Sequence, residues 1–258
     1  MKSLKGKIAF ITGASSGIGE ATAKLFAQNG ARLILIARRK NLLLKISKNL
    51  KSQFKTEIKT IQLDIRSYKK TASVINNLPE EWKKIDILVN NAGLSRGLNT
   101  VQNSKIIDWE EMINTNIKGL LYLTRLILPD MIKRNSGHIV NLGSIAGHFT
   151  YPAGNVYSAT KFFVNSFTQG LRMDLLGTNV RATSIDPGLV ETEFSIVRYR
   201  GDKEKAKRPY EGMTPLFGKD IADTILFAVT RPLHVNIQEL IVMPTAQASL
   251  WHVHREKK

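Results

Sequence analysis

Thr12-Gly13-Ala14-Ser15-Ser16-Gly17-Ile18-Gly19 separates the apolar run Lys7 to Thr12 from a helical pattern between Glu20 and Asn29. A buried strand, a glycine turn and a helix in that order form an anion site, because glycines let backbone N–H groups approach a phosphate and the helix N-terminus adds its partial positive charge. Gly13, Ser15, Ser16, Gly17, Ile18 and Gly19 are therefore candidate cofactor contacts. The spacing Thr-Gly-x-x-x-Gly-x-Gly departs from the commoner Gly-x-Gly-x-x-Gly fingerprint, so an ordinary glycine turn is the competing reading.

The remaining chain repeats the alternation. Arg32 to Ala37 reads as a second buried strand before a helix around Asn41 to Ser52, and Ile58 to Leu63 alternates before Asp64-Ile65. A helix from Tyr68 to Leu78 leads to the strand Ile85 to Val89, which delivers Asn90-Asn91-Ala92-Gly93. Trp109 to Arg134 is mainly helical, and His138 to Leu142 is a strand ending at Gly143-Ser144. Val180 to Asp186 ends at Pro187-Gly188-Leu189-Val190-Glu191-Thr192, and a helix from Lys219 to Val229 and a strand from Glu239 to Met243 close the pattern. Strands alternating with helices imply an α/β fold with a parallel sheet, and ligands bind beyond the carboxyl ends of its strands. The polar clusters stand at those ends.

At the end of the second strand a domain that prefers NAD offers a carboxylate to the ribose 2′-hydroxyl. Here the chain supplies Arg38-Arg39-Lys40. Guanidinium forks bind a 2′-phosphate in bidentate fashion, so the trio argues for NADP; the alternative, a solvated helix start, places cations against the helix dipole.

Asn155-Val156-Tyr157-Ser158-Ala159-Thr160-Lys161 puts a phenol and an ammonium four residues apart, on one face if the segment is helical. A neighbouring cation favours the phenolate, which makes Tyr157 a candidate general acid/base. Ser144, thirteen residues upstream, offers a hydroxyl to a substrate oxygen. Alone, a Tyr-x-x-x-Lys in a Lys-rich chain is more readily a solvated helix face, and the context has to reverse that reading. Asn116 lies among apolar residues, either satisfied in the core or holding a water through its donor and acceptor.

The 258 residues suit one large α/β domain spanning 1–258, with 43% hydrophobic and 23% charged residues and no apolar run long enough for a membrane helix. The N-terminus passes into a strand without the pattern of a signal peptide, so a cytoplasmic location is expected. Cysteine is absent and the five His residues show no metal-ligand pattern beyond His252-x-His254, so neither thiolate chemistry nor a metal is expected. A net charge of +17 would attract phosphates and acidic small molecules, but the lysines are dispersed and no nucleic-acid-binding signature accompanies them. Ser195 to Tyr210 is polar and Lys/Arg-rich and reads as a mobile lid over 195–210.

Taken together and in order, Thr12 to Gly19, Asp64, Asn90 to Gly93, Asn116, Ser144 with Tyr157 and Lys161, and Pro187 to Thr192 resemble the short-chain dehydrogenase/reductase family from Lys7 to about Gln247. The resemblance implies a doubly wound Rossmann-type domain with a seven-stranded parallel sheet in the order 3-2-1-4-5-6-7 and helices on both faces. It also implies a tetrad in which Tyr157 is acid/base, Lys161 lowers its pKa and holds the ribose, Ser144 orients the carbonyl and Asn116 anchors a relay water. Asp64 and Ile65 would meet the adenine, Asn91, Ala92 and Gly93 would line the cleft, and Pro187, Gly188, Val190 and Thr192 would cover the nicotinamide of NADP. Leu78 to Trp82, Gly154 to Tyr157, Glu193 to Arg198, Pro232 to Ile237 and Met243 to Thr245 look like the NADP-dependent 3-hydroxy acid dehydrogenases of that family. The 3-oxoacyl reductases usually finish in a glycine-rich stretch, and this chain has no Gly after Gly218.

The expectation is a homotetrameric oxidoreductase acting on a small 3-hydroxy acid, 3-oxo acid or semialdehyde. The alternatives are a reductase of bulkier ketones and a non-catalytic NADP-binding regulator. An anionic substrate must have its charge met, and Arg fits a carboxylate best. Arg198 is the favoured anchor, Arg96 after the fourth strand and Arg200 in the lid are the other arginines nearest the expected cleft, and a lid that only steers anions is the competing reading.

Overall fold

The structure, a computed structural model, describes residues 3–256; the first and last two residues of the expected 1–258 domain lie outside them. Its strands are β1 (Ile8–Thr12), β2 (Arg32–Ala37), β3 (Ile58–Gln62), β4 (Ile87–Asn90), β5 (Gly137–Leu142), β6 (Val180–Pro187), β7 (Val190–Glu191), β8 (Leu216–Phe217) and β9 (Glu239–Val242). Seven of them form one sheet in the order β3-β2-β1-β4-β5-β6-β9, and β7 and β8 make a separate short ribbon. Every pairing in the seven-stranded sheet is parallel. The order therefore matches the expected one, with β9 as the seventh sheet strand.

Parallel strands need crossovers, and helices supply them on both faces. They are α1 (Gly17–Gln28), α2 (Lys40–Phe54), α3 (Tyr68–Asn76), α4 (Glu80–Lys83), α5 (Ile106–Ile113), α6 (Leu120–Lys133), α7 (Asn155–Asp174), α8 (Glu193–Arg198), α9 (Lys203–Lys207) and α10 (Gly218–Val229). The strand period of two divides the core: Leu33 and Leu35 of β2 pack in a cluster with Phe26 of α1 and Ile221 and Ile225 of α10. Ile34 and Ile36 face the opposite layer with Leu123 and Ile127 of α6 and Leu171 of α7. Both faces of β2 are thus covered, which explains an unbroken apolar run where a half-exposed strand would alternate. Each such side chain, buried from water, stabilises the domain by about 1.5–3 kcal/mol.

Three local differences from the sequence reading matter for the site. The single helix expected over Trp109 to Arg134 begins at Ile106 and is interrupted by a π-helical turn, Asn114–Gly119, between α5 and α6. Gly119 allows that turn to press on the segment after β3, since a Cβ there would lie 2.6 Å from Ile65 Cδ1. Residues 195–210, expected as a mobile lid and given no secondary structure by the sequence reading, contain most of α8, then α9 and a 3-10 turn at Arg208–Tyr210. After β9 the chain folds back, with Arg255 donating to the Pro209 and Glu211 carbonyls and the Glu256 amide to Gly212 O. Among the described residues no helix is long and apolar enough to cross a membrane.

Candidate active site

The sheet order reverses between β1 and β4, and a cleft of about 570 Å³ opens there at the carboxyl ends of the strands. Gly13 and Gly17 adopt φ of +64° and +58°, a left-handed conformation that costs a residue with a Cβ but not glycine. The resulting turn brings Ser15, Ser16 and Ile18 to the cleft wall. Ser16 occupies the N-cap of α1 without a side-chain capping bond, so the first amides of the helix are left for an anion. Gly19 does not line the cleft, which departs from its expected role as a direct contact. A Cβ there would overlap the Gly13 carbonyl oxygen, so its lack of a side chain serves turn–helix packing. Gly19→Ala is accordingly expected to cost about 1–3 kcal/mol by overpacking, readable as a drop of several degrees in Tm by calorimetry.

Thr12 and Asn91 clasp β1 to β4. The Asn91 and Ala92 amides donate to Thr12 Oγ1 at 3.0 and 2.9 Å, and Asn91 Nδ2 donates to the Thr12 carbonyl at 2.8 Å. Their backbone is thereby fixed with Gly93 along one wall of the cleft. Asp64 and Ile65 stand farther along it. Burial pushes the Asp64 carboxyl upward, but hydrogen bonds from the Arg66 side chain and amide outweigh it and hold the group below its ordinary range. Arg38 and Arg39 reach the cleft from the end of β2, and Arg39 donates to Ser15 Oγ at 3.1 Å and Ser16 Oγ at 2.7 Å.

At the other end α7 places Tyr157 and Lys161 one turn apart, both buried, with Ser144 on the loop after β5. Lys161 Nζ donates to the Leu142 carbonyl at 2.7 Å. Its ammonium is lowered to about 8 by burial, against the opposing charge of Asp186. Tyr157 is pushed up to about 12 by burial; the influences pulling the other way are the Arg198 guanidinium and the Ser144 hydroxyl. The expectation that Lys161 depresses the Tyr157 pKa is thus not met in this structure. Lys161 Nζ lies 5.9 Å from the Tyr157 ring centroid and donates to Leu142, while the Arg198 guanidinium sits at 5.3 Å. Sequence spacing gave the shared face but not the desolvation of the phenol.

Asn116, carried on the π-turn, makes a two-way bond to Leu94: Oδ1 accepts from its amide at 2.9 Å and Nδ2 donates to its carbonyl at 2.8 Å. Nδ2 also donates to Thr160 Oγ1 at 3.0 Å. The side-chain amide is therefore occupied, and the water-holding role envisaged for that amide finds no spare donor. What it does is tie the loop after β4 to α7. The loop bearing Ser144 is held from behind by Asp186, fully buried, which accepts from Ser184 at 2.7 Å and lies 2.9 Å from His148 Nε2. A Cβ on Gly143 would overlap Asp186 Oδ1, so only glycine lets the loop sit there.

Pro187, Gly188, Val190 and Thr192 line the side facing this wall, and Arg198 closes it. Arg198 Nη2 donates to Tyr151 Oη at 3.2 Å, and its buried Nε has no partner among the described residues. Arg96 and Arg200 are placed differently. Arg96 pairs with Glu111 at 2.5 Å and donates to Val197 O at 2.7 Å, and Arg200 pairs with Asp108. Several cleft residues escaped the sequence reading. Thr115 lines it with a buried hydroxyl that has no partner among the described residues, and Gln247, Leu250, Val253 and Arg255 reach it from the C-terminal fold-back. Gln247 Oε1 accepts from the Leu189 amide at 2.9 Å, a contact between positions 58 apart that no local pattern announces.

A doubly wound parallel sheet with an uncapped glycine turn at its switch point defines the class of Rossmann-type nucleotide-binding domains. The particular family follows from comparison: the model of the short chain dehydrogenases matches residues 7–202, and the chain belongs to that family. It is 47% identical over 242 residues to the NADP-dependent 3-hydroxy acid dehydrogenase of Salmonella typhi, covering 93% of this chain and 96% of that one. Sulfoacetaldehyde reductase 2 of Chromohalobacter salexigens is 46% identical over 242 residues, covering 93% and 95%. Among solved structures, the closed form of serine dehydrogenase complexed with NADP+ superposes with a TM-score of 0.90 at 45% identity, covering 96% of this chain and all of the other.

Proposed function

We propose that this protein is an NADP(H)-dependent oxidoreductase that interconverts the hydroxyl of a small 3-hydroxy acid with the carbonyl of the matching 3-oxo acid or semialdehyde. The observation that carries the reading is one cleft with Arg39 at the end of β2 and Ser144, Tyr157, Lys161 and Arg198 gathered at its other end. The 3-hydroxy acid dehydrogenases and NADP+-bound serine dehydrogenase that the chain resembles support it.

The residues fit the cofactor. The glycine turn and the free N-terminal amides of α1 suit a pyrophosphate, and Arg38 and Arg39 suit a 2′-phosphate. Asp64, Ile65, Asn91, Ala92 and Gly93 would flank the adenosine half, and Pro187, Gly188, Val190 and Thr192 the nicotinamide half. When bound, the nicotinamide gives or takes the hydride, and the protein supplies position and a proton. Ser144 orients the substrate oxygen, Tyr157 donates a proton to it in reduction or removes one in oxidation, and Lys161 holds the ribose. Arg198 meets the acid group. Asn116 acts through Leu94 and Thr160 by keeping the wall in place.

Residues 195–210 are proposed as the lid of this site, a reading supported by Arg198, Tyr199, Pro209 and Tyr210 lining the cleft. The enzyme is proposed to be a cytoplasmic homotetramer, and the exposed Ile106, Ile107 and Ile113 of α5 and Phe162 of α7 support self-association. The similarity to a sulfoacetaldehyde reductase favours one further reading, in which the anion is a sulfonate. Initial rates with NADPH and NADH against 3-oxo acids, semialdehydes, sulfoacetaldehyde and neutral ketones distinguish these. Preference for NADPH with an anionic carbonyl substrate is expected, and faster turnover of bulky neutral ketones would reject the proposal.

A further inference from the structure

The guanidinium of Arg39 already holds an anion. Nη2 forms an ion pair with the Glu193 carboxylate at 2.7 Å while its N–H groups donate to Ser15 and Ser16. Glu193 is the first residue of α8, and Arg198 is the last. The ion pair therefore ties the arginine at the end of β2 to the start of α8. It joins the glycine turn and β2 to the helix that carries the substrate-side arginine, and both partners line the opening.

We propose that Glu193 is a specificity-determining residue: it occupies the Arg39 fork as an internal anion that the 2′-phosphate of NADP(H) must displace, and this displacement frees α8 from the cofactor half of the cleft. The inference rests on reading Arg39 as an arginine that binds the 2′-phosphate.

Charge and geometry support the exchange. A phosphate monoester carries a charge of about −1.5 to −2 near neutrality and presents three acceptor oxygens, so it outbids a carboxylate for the same fork. Glu193 is itself ionised at neutral pH, because Arg39 holds its carboxyl below the ordinary range. Were it to stay beside a bound phosphate, the two like charges would repel. Its field already reaches α1, where burial and then the Glu193 charge raise the Glu20 carboxyl. NADH, lacking the phosphate, leaves the pair intact. The clasp thus responds to one cofactor and not the other, and the short helix between Glu193 and Arg198 links that response to the substrate end.

Both side chains of the pair are 46% exposed, so the internal competitor is weak and its removal should have a modest effect. Binding of NADPH and NADH, followed by nicotinamide fluorescence without substrate, tests it. Glu193→Gln is expected to tighten NADPH by about two- to fivefold and to leave NADH unchanged. Glu193→Asp, too short to span the gap, should move NADPH in the same direction. Unchanged or weaker NADPH binding in both variants would overturn the proposal, as would equal tightening of both cofactors, which marks general charge relief. Weaker NADH binding would also overturn it, by making Glu193 a ribose ligand. Arg39→Gln tests the underlying assignment: it should weaken NADPH alone, by about tenfold or more. If Arg39→Gln behaves so and the Glu193 variants do not, the clasp fails while the cofactor reading stands.

Discussion

Tyr157→Phe is expected to lower turnover by about 10² to 10⁴-fold in both directions while NADPH binding persists. The substitution removes the transferable proton and keeps the ring, which packs 5.6 Å from that of Phe194. Stopped-flow single turnovers and a fluorescence titration of NADPH separate the two effects. The pH dependence follows from the direction of the shift. With the phenol pushed up to about 12, the protonated form needed for reduction persists through pH 6 to 9, so Tyr157 itself adds no pH dependence to reduction there. Oxidation needs the phenolate, a minor species throughout that range, and should rise with pH by up to about tenfold per unit. Near-normal turnover in Tyr157→Phe would remove the proposed acid/base.

Arg198→Met is expected to raise KM for a 3-hydroxy acid by about tenfold or more, with little change for a neutral alcohol of similar size. The choice of this arginine rests on its neighbours. Arg96 and Arg200 are each committed to a carboxylate, whereas Arg198 makes no salt bridge among the described residues and lies over the rings of Tyr157 and Phe194. A guanidinium with a buried, unpartnered Nε gains from an incoming anion, since leaving a buried donor unmet is costly. Met keeps much of the apolar stem that covers those rings and deletes the fork. Salt separates anchoring from steering: a KM effect that survives high ionic strength marks direct contact, and one that fades marks long-range attraction. Equal losses for charged and neutral substrates would exclude Arg198 as the anchor.

Local pattern determined an α/β fold with a parallel sheet, because strands buried on both faces and joined by helices leave few other arrangements, and the family resemblance supplied its doubly wound order. It also placed the glycine turn, the Arg38-Arg39 pair and the Tyr157-Lys161 face, each of which depends on residues within one or two turns of each other. Tertiary structure decided what those residues experience. Burial under Arg198, Phe194 and Tyr151 sets the protonation of Tyr157, although Lys161 is its nearest ionisable neighbour along α7. The π-turn spends the Asn116 amide on Leu94 and Thr160, partners 22 and 44 positions away. Glu193 meets Arg39 across more than 150 positions, and Arg255 and Gln247 return to the cleft from the far end of the chain. Helical and strand periodicities report neighbours a few residues apart, whereas desolvation and ion pairing depend on three-dimensional distance, which only the packed layers fix.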